Sequence, residues 1–163
     1  MYGAEMVLSG ASDLGEKLKA AGQSVAVAES STGGLIAASL LAVPGASAYF
    51  KGGTVIYTAQ ARLELLQNNR EELREFGRDR EKLTTHFARR ARTLLDATWG
   101  ISELGIAGPT GSPYGDPPGI SVIAVDGPVT RVVKIETGDA DREANMWRFT
   151  ERALELLAEA MQG

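Results

Sequence analysis

Three hydroxyls in succession, Ser30, Ser31 and Thr32, stand between a carboxylate, Glu29, and two glycines, Gly33 and Gly34. A serine in such a corner is a candidate nucleophile, although it attacks only when a neighbouring group takes its proton. A helix starting behind the glycines would offer unpaired backbone N–H groups and the positive end of a dipole, which suit a phosphate or a developing oxyanion. Two glycines let a ligand approach the backbone closely. The same residues permit a plainer reading, in which Ser31 or Thr32 only caps the helix and the glycines only turn the chain. Other chemistries are thinner. Cysteine is absent, so thiolate catalysis, disulfides and cysteine metal sites are excluded. The single histidine, His86, sits in a helical stretch with no carboxylate partner in view and no cluster of further ligands, so it reads as structural.

The elements that must hold this corner follow from periodicity. Ser24–Ala28 has the length and branched content of a buried strand, and Leu35–Val43 reads as an apolar helix ended by Pro44-Gly45. Before them, Glu5–Ala21 carries Leu8, Leu14, Leu18 and Ala21 at helical spacing and stops at Gly22. After them, Ala46–Gly53 reads as a loop, Thr54–Thr58 as a second strand and Ala59–Leu66 as a short helix that Thr58 can cap. Tyr57 then lies at a strand's carboxyl end, where open α/β sheets bind ligands. Asn69–Phe76, with Gly77 as its stop, and Arg80–Ala97 are two further helices. Basic residues crowd the stretch from Arg74 to Arg92, but Glu75, Asp79 and Glu81 interleave with them, so a solvated or subunit-interface face is expected rather than a phosphate patch.

Gly100–Ala107 is a third strand running into Gly108–Gly119, a stretch with four glycines and four prolines. A stiff connection of that length is more often functional than a plain turn. Ile120–Val125 and Arg131–Glu136 flank Asp126-Gly127-Pro128 as an antiparallel hairpin, and Arg142–Met161 is the closing helix. Together these predict a three-layer α/β/α sandwich around a mixed, about five-stranded sheet, in one domain spanning residues 1–163.

Composition bounds the setting. Hydrophobic residues at 44% and charged residues at 23% suit a soluble globular chain. A net charge of −4 argues against nucleic acid as a partner. Met1–Leu8 lacks the features of a signal peptide, and no apolar run approaches a membrane span, so a cytoplasmic location away from membranes is expected. Neither GxGxxG, GxxxxGK[ST] nor GxSxG occurs, which removes the usual dinucleotide, P-loop and hydrolase-elbow mechanisms. Self-association into a homo-oligomer is expected of a chain this small with an arginine-rich amphipathic helix.

Three segments taken together resemble the C-terminal domain of the competence/damage-inducible protein CinA: Ala28-Glu29-Ser30-Ser31-Thr32-Gly33-Gly34, Gly52-Gly53-Thr54-Val55-Ile56-Tyr57 and Gly105-Ile106-Ala107-Gly108-Pro109-Thr110-Gly111. The resemblance covers nearly the whole chain. It implies an amidohydrolase that converts nicotinamide mononucleotide and water to nicotinate mononucleotide and ammonia, with a small-molecule nucleotide as partner and with no cofactor or metal. By the same resemblance Ser30 is the nucleophile, with Tyr57 and the residue at position 62 beside it as catalytic groups. Ser31, Thr32, Gly33, Gly34, Thr58, Gly108, Pro109, Thr110, Gly111 and Arg142 surround the substrate.

The chain departs from that family at several charged positions. Arg62 replaces a lysine thought to activate the serine, and an arginine is not deprotonated in proteins, so it can hold a negative charge or orient Tyr57 but not act as a base. Ser31 replaces a common cysteine, Arg80 a serine, Asp116 a lysine and Met146 an arginine. Two alternatives therefore stay open: a nucleotide-binding homologue without turnover, and a non-enzymatic interaction domain.

Overall fold

A computed structural model describes the backbone of residues 4–163 and the side chains from residue 9 onward. The reading of Met1–Leu8 as no signal peptide rests partly on residues outside that description, and the place of Leu8 in a helical stripe rests on a side chain outside it.

Strand β1, Val25–Glu29, is buried along its whole length because it lies between two parallel neighbours. Its alternate side chains feed two cores, Val25 and Val27 on one face and Ala26 and Ala28 on the other. On its sides run β2, Phe50–Val55, and β3, Trp99–Ile106, both parallel to it. Strands β4, Ile120–Asp126, and β5, Arg131–Glu136, continue the sheet as an antiparallel hairpin, giving the order β2-β1-β3-β4-β5. The mixed five-stranded sheet and its closing hairpin are as expected from the sequence.

Helices cover both faces. On one face lie α1, Ala4–Ala21, α2, Leu35–Leu41, and α6, Arg142–Met161, which bury Leu14, Leu18, Ile36, Leu40, Leu154 and Leu157 against the valines and isoleucines of the sheet. On the other lies α5, Arg80–Leu94, whose Phe87 and Ala91 pack on Ala26, Ala28 and Leu104. Two short helices, α3, Ala59–Glu64, and α4, Arg70–Phe76, connect β2 to α5. Local chemistry sets their ends: Thr58 Oγ1 accepts from Ala61 N at 3.0 Å, Asn69 Oδ1 from Glu71 N at 2.8 Å, and Gly77 closes α4. Among the described residues no helix is long and apolar enough to cross a membrane.

The second strand differs from its sequence reading. β2 starts four residues before Thr54 and ends at Val55, so it takes in Gly52 and Gly53, while Ile56 to Thr58 lie beyond it. Pairing decides this. Glu29, the last residue of β1, is opposite Val55, and one further bond from Ile56 N to Glu29 O at 2.8 Å ends the ladder. Glycines are tolerated because this strand lies at the sheet's edge.

The arginine-rich face is exposed at Arg74, Arg78, Lys82 and Arg89, as a solvated face should be, and several of its arginines also hold fixed partners. Arg89 and Arg92 bond Asp126 at 3.1 and 2.9 Å, Arg90 bonds the Leu66 carbonyl, Arg80 pairs with Asp116 at 2.7 Å, and Arg78 lies 5.0 Å over the Tyr114 ring. Interleaved acids on the helix itself hid these partners, which come from loops and strands more than twenty residues away.

Candidate active site

The turn from Ser30 to Gly34 leaves the carboxyl end of β1, where the sheet presents its ligand-binding edge in open α/β folds. Its hydrogen bonding reverses part of the sequence reading. The N–H groups at the start of α2 are not open to a ligand: the Glu29 carboxylate accepts from Gly34 N at 2.8 Å, Ile36 N at 3.1 Å and Ala37 N at 3.0 Å. Nor does Ser31 or Thr32 cap the helix. The cap position is Gly34, at φ 102°, a left-handed conformation that a side chain would strain. A carboxylate at a helix start is the favoured charge there, and Glu29 supplies it from the preceding strand.

A second carboxylate completes the support. Glu103 in β3, directly opposite Glu29 in the parallel register, is fully buried. It accepts from Ser30 N at 3.1 Å, Thr32 N at 3.0 Å, Thr32 Oγ1 at 2.9 Å and Ser121 Oγ at 3.2 Å, and also from the Ser31 hydroxyl. Burial pushes the Glu103 carboxyl above the usual carboxylate range, and the bonds from Ser31, Thr32 and Ser30 only partly offset that. Thr32 Oγ1 also lies 2.7 Å from Glu29 Oε1, so one hydroxyl bridges the two carboxyls. Sequence reasoning gave Glu103 no role. Its signal was the one charged residue inside a mostly apolar strand, Trp99-Gly100-Ile101-Ser102-Glu103-Leu104, a position where a carboxylate is rare unless it is bonded.

Two groups of the turn stay unengaged. Among the described residues neither the Ser30 hydroxyl nor the Ser31 backbone N–H has a hydrogen-bond partner, whereas the N–H groups of Ser30, Thr32, Gly33, Gly34, Leu35, Ile36 and Ala37 all do.

Beside the turn, the structure joins three of the expected residues directly. Arg142, the first residue of α6, donates to the Gly108 carbonyl at 2.5 Å and to the Tyr57 hydroxyl at 3.2 Å. Gly108 holds φ 108°, and a Cβ there would stand 2.6 Å from the Ala140 carbonyl oxygen, so no other residue fits that approach. Asn145, also without a role in the sequence reading, is fully buried and fixes this junction by donating to Ala107 O at 2.8 Å and Asp139 O at 2.9 Å. Tyr57 is 55% exposed, and Pro109, Thr110 and Gly111 are exposed on the loop beyond Gly108. Thr58 is engaged as the α3 cap. Over the glycine turn, a side chain at Gly33 would meet the Met146 methyl at 3.4 Å.

Arg62 lies on the α5 side of the sheet. Its Nε donates to Ile56 O at 3.2 Å and its guanidinium lies 5.8 Å over the Phe87 ring. Burial pushes its pKa down, Glu103 pulls it back and Arg80 pushes it further down, yet a guanidinium stays protonated. His86, expected to have no carboxylate partner, stands with Nδ1 3.9 Å from Glu72 Oε1; its Nε2 lies 2.9 Å from Asn68 Oδ1, its ring packs at a tilt on Phe76, and burial lowers its pKa against the pull of Glu72. No group of three or more metal-ligating side chains occurs among the described residues.

Known proteins resemble this chain in sequence and in fold. A CinA-like protein from a Sulfurihydrogenibium species is 39% identical over 74% of this chain, and a putative competence-damage inducible protein from Halothermothrix orenii is 35% identical over 86% of it. The chain spans only 30% and 34% of those two relatives. The crystal structure of the competence/damage inducible protein CihA from Agrobacterium tumefaciens superposes with a TM-score of 0.87 at 29% identity, covering 96% of both chains. A CinA superfamily protein from Escherichia coli gives a TM-score of 0.86 at 26% identity, covering 94% of this chain and 90% of that one. With the CinA C-terminal domain model matching residues 8–161, from the first helix to the last, this chain belongs to the CinA C-terminal domain family.

Proposed function

We propose that the chain is an amidohydrolase acting on nicotinamide mononucleotide, with Ser30 as nucleophile. One observation supports this: in a turn whose other N–H groups are engaged, the Ser30 hydroxyl and the following Ser31 N–H have no partner among the described residues. A nucleophilic hydroxyl and the N–H of the next residue are the pair that acyl transfer needs, one to attack and one to hold the oxyanion. The Ser30 oxygen adds to the carboxamide carbon, the C–N bond breaks, and ammonia leaves carrying the hydroxyl proton. Water then cleaves the ester, giving nicotinate mononucleotide and restoring Ser30. Glu29 and Glu103 keep the turn in place, and Tyr57 and Arg142 form the polar wall beside it.

A second reading, a nucleotide-binding module without turnover, is favoured by the absence of a proton acceptor on Ser30 Oγ among the described residues and by a permanently charged Arg62. Ammonia release from nicotinamide mononucleotide separates the two. Turnover by wild type that Ser30→Ala reduces by about a thousandfold or more, the scale on which a lost nucleophile acts, supports the amidohydrolase. An inert wild type that gains activity as Arg62→Lys supports the binding module. Self-association is part of the proposal, and light scattering on the purified chain measures it.

A further inference from the structure

On the α5 side of the sheet a cavity of about 780 Å³ opens between Arg62 of α3, the corner Gly77–Glu81, the end of β3 and the loop residues Tyr114 and Asp116. That volume falls within the range of small-ligand sites. Four cations line it, Arg62, Arg78, Arg80 and Lys134, against the acids Asp79, Glu81 and Asp116. Most of these charges are already engaged. Lys134 pairs with Glu136 at 3.1 Å, Arg80 with Asp116 at 2.7 Å, Arg78 covers Tyr114, and Asp79 caps α5 by accepting from Lys82 N at 3.0 Å.

Among the four cations Arg62 is the exception. Of its five N–H donors only Nε has a partner, the Ile56 carbonyl, and no carboxylate bonds it among the described residues. It is partly desolvated, and Arg80 is near enough to disfavour its charge further. Two guanidiniums therefore face one cavity, one with four unused donors and one held by an exchangeable carboxylate. An arginine fork matches the oxygens of a phosphate two at a time, and a dianion between the pair would remove their repulsion. The Arg80–Asp116 contact is about a third exposed on both sides, the kind of ion pair that gives way readily to a stronger anion.

We propose that this cavity is a phosphomonoester site, with Arg62 and Arg80 as the two arms that hold the phosphate and Asp116 as its internal competitor. The proposal rests on the amidohydrolase reading only for the remainder of the ligand; the phosphate arms stand on the cavity itself. It gives Arg62 a binding role in place of the basic one its charge forbids.

Calorimetric titration of the full chain with inorganic phosphate, nicotinamide mononucleotide and nicotinamide riboside, with ammonia release followed in parallel, tests it. Wild type is expected to bind the mononucleotide at least tenfold more tightly than the riboside, and to bind inorganic phosphate measurably. Arg62→Gln and Arg80→Gln are each expected to weaken phosphate tenfold or more and to remove the preference for the mononucleotide, whereas Asp116→Asn tightens phosphate. Circular dichroism checks that each variant is folded, and the partly exposed Arg80 carries the test should Arg62→Gln not fold. Ser30→Ala is expected to keep phosphate affinity while ammonia release stops. Equal affinity for mononucleotide and riboside, or phosphate affinity unchanged in folded Arg62→Gln or Arg80→Gln, overturns the proposal. Phosphate binding that depends on both arginines in a protein that releases no ammonia overturns the amidohydrolase and leaves this site standing.

Discussion

Glu103 and Asp126 are both buried carboxylates of the central strands, yet the protein treats them in opposite ways. Asp126, the last residue of β4, lies opposite Gly100 at the start of β3, the end of the sheet away from the serine turn. It accepts from Arg89 at 3.1 Å, Arg92 at 2.9 Å and Thr130 at 2.9 Å. Burial pushes its pKa up, but the bonds from Arg89, Arg92 and Thr130 outweigh it and hold the carboxyl below its usual range. Glu103, near the other end, receives only hydroxyls and backbone N–H groups, so burial wins and its pKa rises. A carboxylate that only ties a helix to a sheet can be given full counter-charge. The one that holds the serine turn is instead bonded by short neutral donors, with the Arg62 charge acting on it without a direct hydrogen bond.

Substitutions at the two carboxyls should differ in the size of their effect. Glu103→Ala strips the acceptor from Ser30 N, Thr32 N and the Ser31 hydroxyl at once. Leaving several buried donors unpaired costs roughly 3–5 kcal/mol, read by denaturant unfolding, and ammonia release falls with it. Asp126→Asn leaves behind arginines that can turn to water, since Arg89 is 53% and Arg92 29% exposed. A smaller loss of about 2 kcal/mol is expected there, a fall in Tm of roughly 4–8 °C with no change in ammonia release per folded molecule. Equal losses from the two substitutions would show that the turn is no better supported than the far end.

The two carboxyls also predict opposite pH responses. Asp126 has a depressed folded-state pKa, so its contribution is present above the ordinary carboxyl range and is lost as pH falls through the depressed value. Glu103 has a raised one, so its contribution is full below the ordinary range and is lost as pH rises through the raised value. Unfolding free energy measured against pH should therefore lose part of its acid-side fall in Asp126→Asn and part of its alkaline-side fall in Glu103→Gln. Least is expected of Lys82→Ala, whose Nζ stands 3.8 Å from Asp79 Oδ2 on an exposed surface. That change should stay within about 0.5 kcal/mol by the same unfolding assay.

Much of the architecture was legible because it is written in local periodicity. The hairpin at Asp126-Gly127-Pro128, the helix stop at Gly77 and the Thr58 cap each depend on residues within a few positions of one another. β2 was misplaced for the opposite reason: Gly52 and Gly53 lack any strand propensity, and only pairing with β1 makes them extended. The turn from Ser30 to Gly34 was found, but its electrostatics were not. Nothing near Gly34 announces that Glu29 reaches forward to close the helix start, or that Glu103, more than seventy residues on, supports the same turn from below.

Residue types and short spacings carry the order of elements, the hydroxyl corner before a glycine turn, the absence of thiol chemistry and the inability of Arg62 to serve as a base. Tertiary structure alone decided which donors in that corner remain free, that Arg142 joins Tyr57 to Gly108, and that Arg62 and Arg80 face one cavity. Those depend on long-range contacts between strands and loops, and a hydrogen bond between residues far apart in the chain leaves no trace in the pattern of either segment.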